Sequence, residues 1–193
     1  MEDLVESLAG LWPTETPGNL LTTMTQTAGN AITSFRTSNV ACQSKTVGVM
    51  LVESTGQMQA AVSGWTTWMY NIATLPQISQ AEALTKVTKL TSIIGHQLEA
   101  NDLDQGQTGR YYACHCEKQL AADYYFHDLT GEPAKIVISK EPCRDCWDFF
   151  ARLELILNLR VDILVNDHIS LQGRNSALFR QWLQISGGTI WDV

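Results

Sequence analysis

The chain has 193 residues, 45% of them apolar, and a formal net charge of −7. This length suits one domain with an elaborated N-terminal part, and an apolar fraction of this size can fill a hydrophobic core. The acidic balance argues against broad, non-specific coating of DNA while leaving room for a local groove, and no apolar run approaches the roughly 18 residues that cross a membrane.

The N-terminal part predicts a helix that precedes the main domain. Apolar residues recur at near-helical spacing from about 19 to 35, so we expect residues 1–45 to form a helical addition packed on a domain of residues 46–193. Met1-Glu2-Asp3 lacks the positive charge of a secretory signal. We therefore expect an intracellular protein without membrane contact, with export by another route left open.

The next segments predict a hairpin and then a long helix. Two extended runs within 46–63 flank a turn that contains Gly56, which is typical of a β-hairpin. Ser79 and Glu82 have the spacing of a capping box, and an apolar face continues from there, which predicts a helix from 80 to about 100. Residues 101–109 are polar and predict a loop. We treat about 66–110 as a helical insertion.

The remaining segments alternate between helix and strand, which predicts an α/β domain with parallel strand pairing and helices on the faces of the sheet. Asn175 and Gly187-Gly188 are suited to begin and end the last helix. The predicted elements are helix 115–128, strand 135–139, helix 143–158, strand 161–165, helix 175–187 and strand 189–193.

Four of the five cysteines fall into two tight groups, Cys114/Cys116 and Cys143/Cys146, and His115 lies within the first group. An odd and sparse cysteine count does not suit a disulfide framework, whereas cysteines clustered beside a histidine indicate a metal site. At the start of a helix, residues three apart lie on one face, so the sulfurs of Cys143 and Cys146 lie close together. The positive end of the helix favours their thiolate forms.

His115-Cys116-Glu117 followed by Pro142-Cys143-Arg144-Asp145-Cys146 resembles the His-x-Glu and Pro-Cys-x-x-Cys signature of zinc nucleobase deaminases. From the hairpin onwards the chain resembles the cytidine deaminase-like superfamily. The resemblance implies a three-layer α/β/α sandwich with a mixed sheet of about five strands. It also implies Zn²⁺ held by His115, Cys143 and Cys146, with Glu117 as the catalytic acid and base.

The segment after Val165 resembles the branch that includes deoxycytidylate, tRNA-adenosine and nucleic-acid-editing deaminases, and the hairpin is similar to that of toxin-type deaminases. The resemblance implies hydrolytic deamination of cytosine to uracil. We favour a base in single- or double-stranded DNA or in RNA as the substrate. A free cytidine or deoxycytidine nucleoside or nucleotide is the alternative, and adenine comes third.

A non-catalytic, zinc-stabilised binding module is a different alternative, in which two of Cys114, His115 and Cys116 complete a closed site with Cys143 and Cys146. Otherwise Cys114 and Cys116 are small buried residues. Further side chains are candidates for contact with a base or phosphate, although aromatic residues such as Trp65 and Trp68 are more often part of a core. These substrate-binding candidates are Arg110, Tyr111, Tyr112, Trp65, Lys140 and Arg144.

Overall fold

The computed structural model describes residues 17–38, 44–52, 54–64, 72, 75–127 and 134–166. Within these ranges no helix is both long enough and apolar enough to cross a bilayer. The elements are α1 (Pro17–Ser38), β1 (Val47–Val52), β2 (Gln57–Val62), α2 (Gln80–Ile93), α3 (Arg110–Ala113), α4 (Cys116–Phe126), β3 (Ala134–Ile138), α5 (Arg144–Leu157) and β4 (Val161–Val165).

The described strands form one mixed sheet in the order β2-β1-β3-β4. The hairpin strands β1 and β2 pair antiparallel, and β1 also pairs antiparallel with β3. The pairing of β3 with β4 is parallel, because α5 crosses over between them. The α/β class, the hairpin and the parallel pair are therefore confirmed for this part of the chain.

Helices cover both faces of the sheet. Successive side chains of a strand point to opposite faces, and all six residues of β1 are buried. Val49 and Leu51 pack with α1, whereas Met50 and Val52 pack with the cluster formed by α2, α4 and α5. The face of α1 that reaches the sheet carries Met24, Ala28, Ala31, Ile32 and Phe35.

Gly48 in β1 allows α4 to lie close to the sheet. A Cβ atom at this position would lie 2.9 Å from Cδ1 of Leu120 and 3.3 Å from Sγ of Cys116. Interiors packed at crystal-like density leave no spare volume for an added methyl group. The missing side chain therefore fixes the height of the first turns of α4 above β1.

Several predicted elements differ from the structure at their ends. The capping box is wrong, because the Ser79 side chain makes no capping hydrogen bond. The helix that begins there ends at Ile93 and not near residue 100, because Gly95 adopts a φ of +64° that turns the chain. The short helix α3 was not predicted. The predicted helix 175–187 and the fifth strand, 189–193, lie outside the described residues.

We expect Gly48→Ala to lower the free energy of unfolding by about 1–3 kcal/mol, because the new methyl group overlaps Leu120. Chemical denaturation measures this loss. Combining Gly48→Ala with Leu120→Val, which shortens the opposing side chain, should cost less than the sum of the two single changes. Strictly additive losses would contradict the close contact.

Candidate active site

Two helices begin at the same end of the strands, and the residue before each helix is a candidate metal ligand. His115 precedes α4 and Cys143 precedes α5, and both have extended backbone with φ of −69° and −74°. Neither side chain makes a capping hydrogen bond. Both side chains are therefore available to a common centre, unlike an ordinary N-cap side chain that bonds to its own helix.

The loops that carry these residues are attached to the hairpin. The amide of Gly64 donates to the carbonyl of Cys114 at 2.9 Å, at the end of β2. The amide of Val47 donates to the Ser139 hydroxyl at 3.0 Å, where β3 leads towards α5. Hydrogen bonds from the backbone amides of the hairpin thus locate both helix starts.

The structure brings together the three predicted zinc ligands. Nδ1 of His115 lies 3.3 Å from Sγ of Cys146 and 3.4 Å from Sγ of Cys143, and the two sulfurs are 3.6 Å apart. In a tetrahedral zinc site, bonds of about 2.0 Å to nitrogen and about 2.3 Å to sulfur separate neighbouring donors by about 3.5–3.8 Å. An imidazole and two thiols at these separations fit zinc, and among the described residues no fourth protein ligand joins them.

The two thiols are unequal. A hydrogen bond from Cys146, assisted by one from His115, lowers the pKa of Cys143 to about 4. The same pairing with Cys143, together with burial, raises the pKa of Cys146 well above its usual value. The pair thus holds one thiolate and one thiol, and a metal that binds both sulfurs as thiolates releases a proton.

Glu117 lies in the first turn of α4, two residues after His115, and is 3% exposed. Burial raises the pKa of its carboxyl group. The Cys116 thiol donates to Oε2 at 3.2 Å. A buried carboxyl group with a raised pKa exchanges protons more readily near neutral pH than an exposed one, as an acid and base catalyst requires.

The two cysteines of the first group, Cys114 and Cys116, do not belong to the triad. Sγ of Cys114 donates to the carbonyl of Tyr111 at 2.9 Å, and Cys116 donates to Glu117. Among the described residues, the only group suited to a metal ion is His115, Cys143 and Cys146. A closed site with four protein ligands is therefore not formed by this part of the chain.

Tyr111 and Tyr112, two of the substrate-binding candidates, pack against the histidine of the triad. Their ring centroids lie 5.3 and 5.7 Å from that of His115, and both residues are half-buried. Arg110 begins the same short helix, α3. Trp65 and Trp68 lie outside the described residues.

Asp104, which no sequence motif singled out, organises the loop before α3. Its carboxylate accepts hydrogen bonds from the amides of Asn101, Gly109 and Tyr111 at 2.8–2.9 Å. The bond from Tyr111 is the main cause that lowers the pKa of Asp104. The signal that was available is the Asn-x-x-Asp spacing, since these side chains bond to nearby amides in turns.

Three basic side chains lie on the loops around the triad. Lys140 donates to the carbonyl of Ser44 at 2.5 Å, and Lys45 donates to that of Ser63 at 3.0 Å. Arg144 is exposed at the start of α5. Within the described ranges, no carboxylate forms a salt bridge with these three residues. Their charges remain available to an anion, although the whole chain is acidic.

A buried charged group lies behind the triad. Lys118 has no exposed surface and donates to Asp145, which lies between the two cysteine ligands. The other carboxylate oxygen of Asp145 is 3.0 Å from Nε2 of His96. Sequence reasoning had no access to this group, because a lysine after His-x-Glu reads as an exposed helix residue.

Residues 60–121, about a third of the chain, match the protein family described as the C-terminal region of single-strand DNA deaminase toxin A. The matched stretch includes His115 and Glu117 and all of the segment 66–110, and it ends before the two cysteine ligands. The match confirms the predicted resemblance to toxin-type deaminases. No curated protein matches the chain.

His96 should make stability depend on pH. Burial is the main cause that lowers its pKa to about 4 from 6.5, and the charge of Lys118 adds to it. Between pH 6.5 and pH 4, His96 therefore binds a proton in the unfolded chain but not in the folded chain. The stability that neutral His96 contributes is present above pH 6.5 and is lost as pH falls towards 4.

The comparison variant is His96→Gln, which keeps a donor towards Asp145 and cannot titrate. Between pH 7 and pH 5 we expect the wild type to lose about 1 kcal/mol more unfolding free energy than this variant, allowing for partial solvent screening. Urea titrations at each pH measure the difference. Parallel pH curves for the two proteins would contradict the buried neutral imidazole.

Proposed function

We propose that this chain is a zinc-dependent deaminase that converts cytosine to uracil in single-stranded DNA. The observation that carries the proposal is the convergence of the donor atoms of His115, Cys143 and Cys146 beside the buried Glu117. The match of residues 60–121 to a family named for single-strand DNA deamination supports both the reaction and the polymer.

The reaction exchanges an amino group for an oxygen atom. Water adds to C4 of cytosine, the C4–N4 bond breaks, and uracil and ammonia are the products. Zinc, when bound by three protein ligands, supplies the Lewis acidity that makes water nucleophilic near neutral pH.

Glu117 is suited to carry the protons of this exchange. Its carboxylate takes one proton from the attacking water and delivers it to the ring nitrogen N3, and then takes the second proton from the new hydroxyl group on C4 and passes it to the departing amino group. Burial, which raises the pKa of Glu117, favours the protonated form that the last two transfers need. The neighbouring Cys116 thiol donates a hydrogen bond to Oε2 and so restrains the carboxyl group.

The residues around the triad suit a single strand with its bases exposed. Tyr111 and Tyr112 offer aromatic rings next to His115, and stacking on such rings is tolerant of base identity. Lys140 and Arg144, which flank the first cysteine of the triad in the sequence, offer positive charge to the phosphates of a bound strand. A base within a duplex would first have to leave the stack.

A substrate panel at fixed salt tests the proposal. We expect uracil from single-stranded DNA, and far less from double-stranded DNA, RNA, deoxycytidine and its monophosphate. Glu117→Gln should slow the reaction by about 10²–10⁴-fold while zinc content and fold are unchanged, because it removes only the proton carrier. Glu154→Gln, an exposed position on α5, is the matched control.

Each other outcome has a definite meaning. Hypoxanthine from adenine in place of uracil would overturn the cytosine assignment, and product from free nucleosides alone would overturn the polymer. A protein that binds zinc but converts no substrate, and whose zinc content and fold are the same with Glu117→Gln, would be a binding module.

Arg144→Gln should weaken binding of single-stranded DNA and reduce the slope of log affinity against log salt by about 0.7, the value for one phosphate contact on a single strand. Arg160→Gln is the control, because Arg160 is exposed just before β4 and pairs with Asp162 at the opposite end of the strands. Fluorescence anisotropy at several salt concentrations measures both slopes. Equal slopes for the two variants would exclude Arg144 from the contact.

A further inference from the structure

We propose that Lys118 and Asp145 are a positioning ion pair that holds the cysteine-bearing turn of α5 in place against α4 and thereby sets the affinity of the site for its metal. This role rests on the proposed function, because it presupposes a metal at the triad. It concerns neither a ligand nor a proton carrier, but a buried charge pair that the proposed reaction does not use.

The contacts of Lys118 join three elements. The residue is three positions after His115 on α4, and its ammonium group donates to Oδ2 of Asp145 on α5 and to the carbonyl of Tyr112 on α3 at 3.1 Å. The same nitrogen lies 5.8 and 5.7 Å from the ring centroids of Tyr112 and Phe149. A single buried cation thus connects the histidine, tyrosine and cysteine sides of the site.

The carboxylate of Asp145 is restrained by a hydrogen bond at each of its two oxygens. Asp145 lies between Cys143 and Cys146 in the first turn of α5, and its second oxygen bonds with His96. His96 packs edge-on against Phe149, with ring centroids 5.7 Å apart. Arg152, about two turns further along α5, donates to the carbonyl of Gly95 at 3.1 Å and attaches the segment that carries His96 to α5. Both carboxylate oxygens therefore have buried partners that belong to other elements.

Stability alone does not explain this arrangement. Burying an ion pair has a desolvation cost that often equals its attraction, and apolar replacements of similar volume are commonly neutral or stabilising. Directional bonds, in contrast, restrict where the first turn of α5 can lie. Groups that orient metal ligands in this way typically change metal affinity 10- to 100-fold when they are removed.

A second ion pair between helices provides a matched control. Lys86 on α2 and Asp123 on α4 are 2.6 Å apart, and Asp123 is 5% exposed. This pair also joins a helix to α4, but at the far end of α4 from His115. Loss of Lys86, whose side chain is partly exposed, therefore tests what removal of an interhelical salt bridge does to the domain without disturbing the triad.

The experiment compares Lys118→Met with Lys86→Met in the full chain. Competition with a chromophoric chelator measures zinc affinity, and the cobalt(II) form reports the thiolate geometry through its absorption bands. We expect Lys118→Met to weaken zinc binding about 10- to 100-fold and to shift the cobalt bands. Lys86→Met should bind both metals as the wild type does.

The double variant Lys118→Met/Asp145→Asn separates positioning from stability. Removing both charges leaves no unpaired buried ion, so thermal stability should return towards that of the wild type. Zinc affinity should stay low, because neutral side chains do not restore the lost restraint. The double variant also keeps the test decisive if Lys118→Met alone fails to fold.

Two failures are distinguishable. A wild type that holds no zinc overturns the proposed function and this role with it. A wild type that binds zinc tightly, with Lys118→Met binding equally tightly, overturns the positioning role alone. Zinc affinity that returns together with stability in the double variant would also overturn it, since the pair would then act only on the fold.

Discussion

The close approach of α4 to β1 is the constraint on which the site depends. Gly48 leaves the space that a Cβ atom would fill to the side chains of Leu120 and Cys116, so the first turns of α4 lie close to the sheet. The strand β3 pairs antiparallel with β1, so the end of β3 lies beside Gly48. The loop that follows β3 therefore places the start of α5 at the same end of the sheet as the start of α4. Two helix starts then meet, and the triad consists of residues at those starts.

The surroundings divide the electrostatic roles. Hydrogen bonds from Cys146 and His115 lower the pKa of Cys143, whereas the pairing with Cys143 and burial raise the pKa of Cys146. Glu117, in the first turn of α4, is buried, and this burial raises the pKa of its carboxyl group, so it retains protons more readily. The start of α4 therefore presents the proposed metal ligand His115 and, two residues later, the proposed proton carrier Glu117. Lys118 is the only buried lysine among the described residues, and its side chain is shielded from solvent.

Periodicity and motif predicted most of the described elements and the three converging ligands. Apolar spacing predicted α1, the hairpin and α5 because these elements bury one regular face. The prediction failed at the ends of α2, which depend on local backbone geometry. Gly95 ends α2 early, and the Ser79 side chain does not cap its first turn. Lys118, Asp145 and Asp104 were missed because burial of a charged side chain depends on partners distant in the sequence. Residues 167–193, with the last predicted helix and strand, lie outside the described part.

The residues that precede α4 and α5 direct their side chains towards each other and leave the helix ends uncapped. An ion held between them would tie together two backbone segments 28 residues apart in the chain. The protein would then sense metal supply through its own folding equilibrium, since a ligand that binds only the native state stabilises it in proportion to the logarithm of its concentration. Starvation for the ion would loosen the architecture as well as stop the chemistry, and make the polypeptide a better target for proteases.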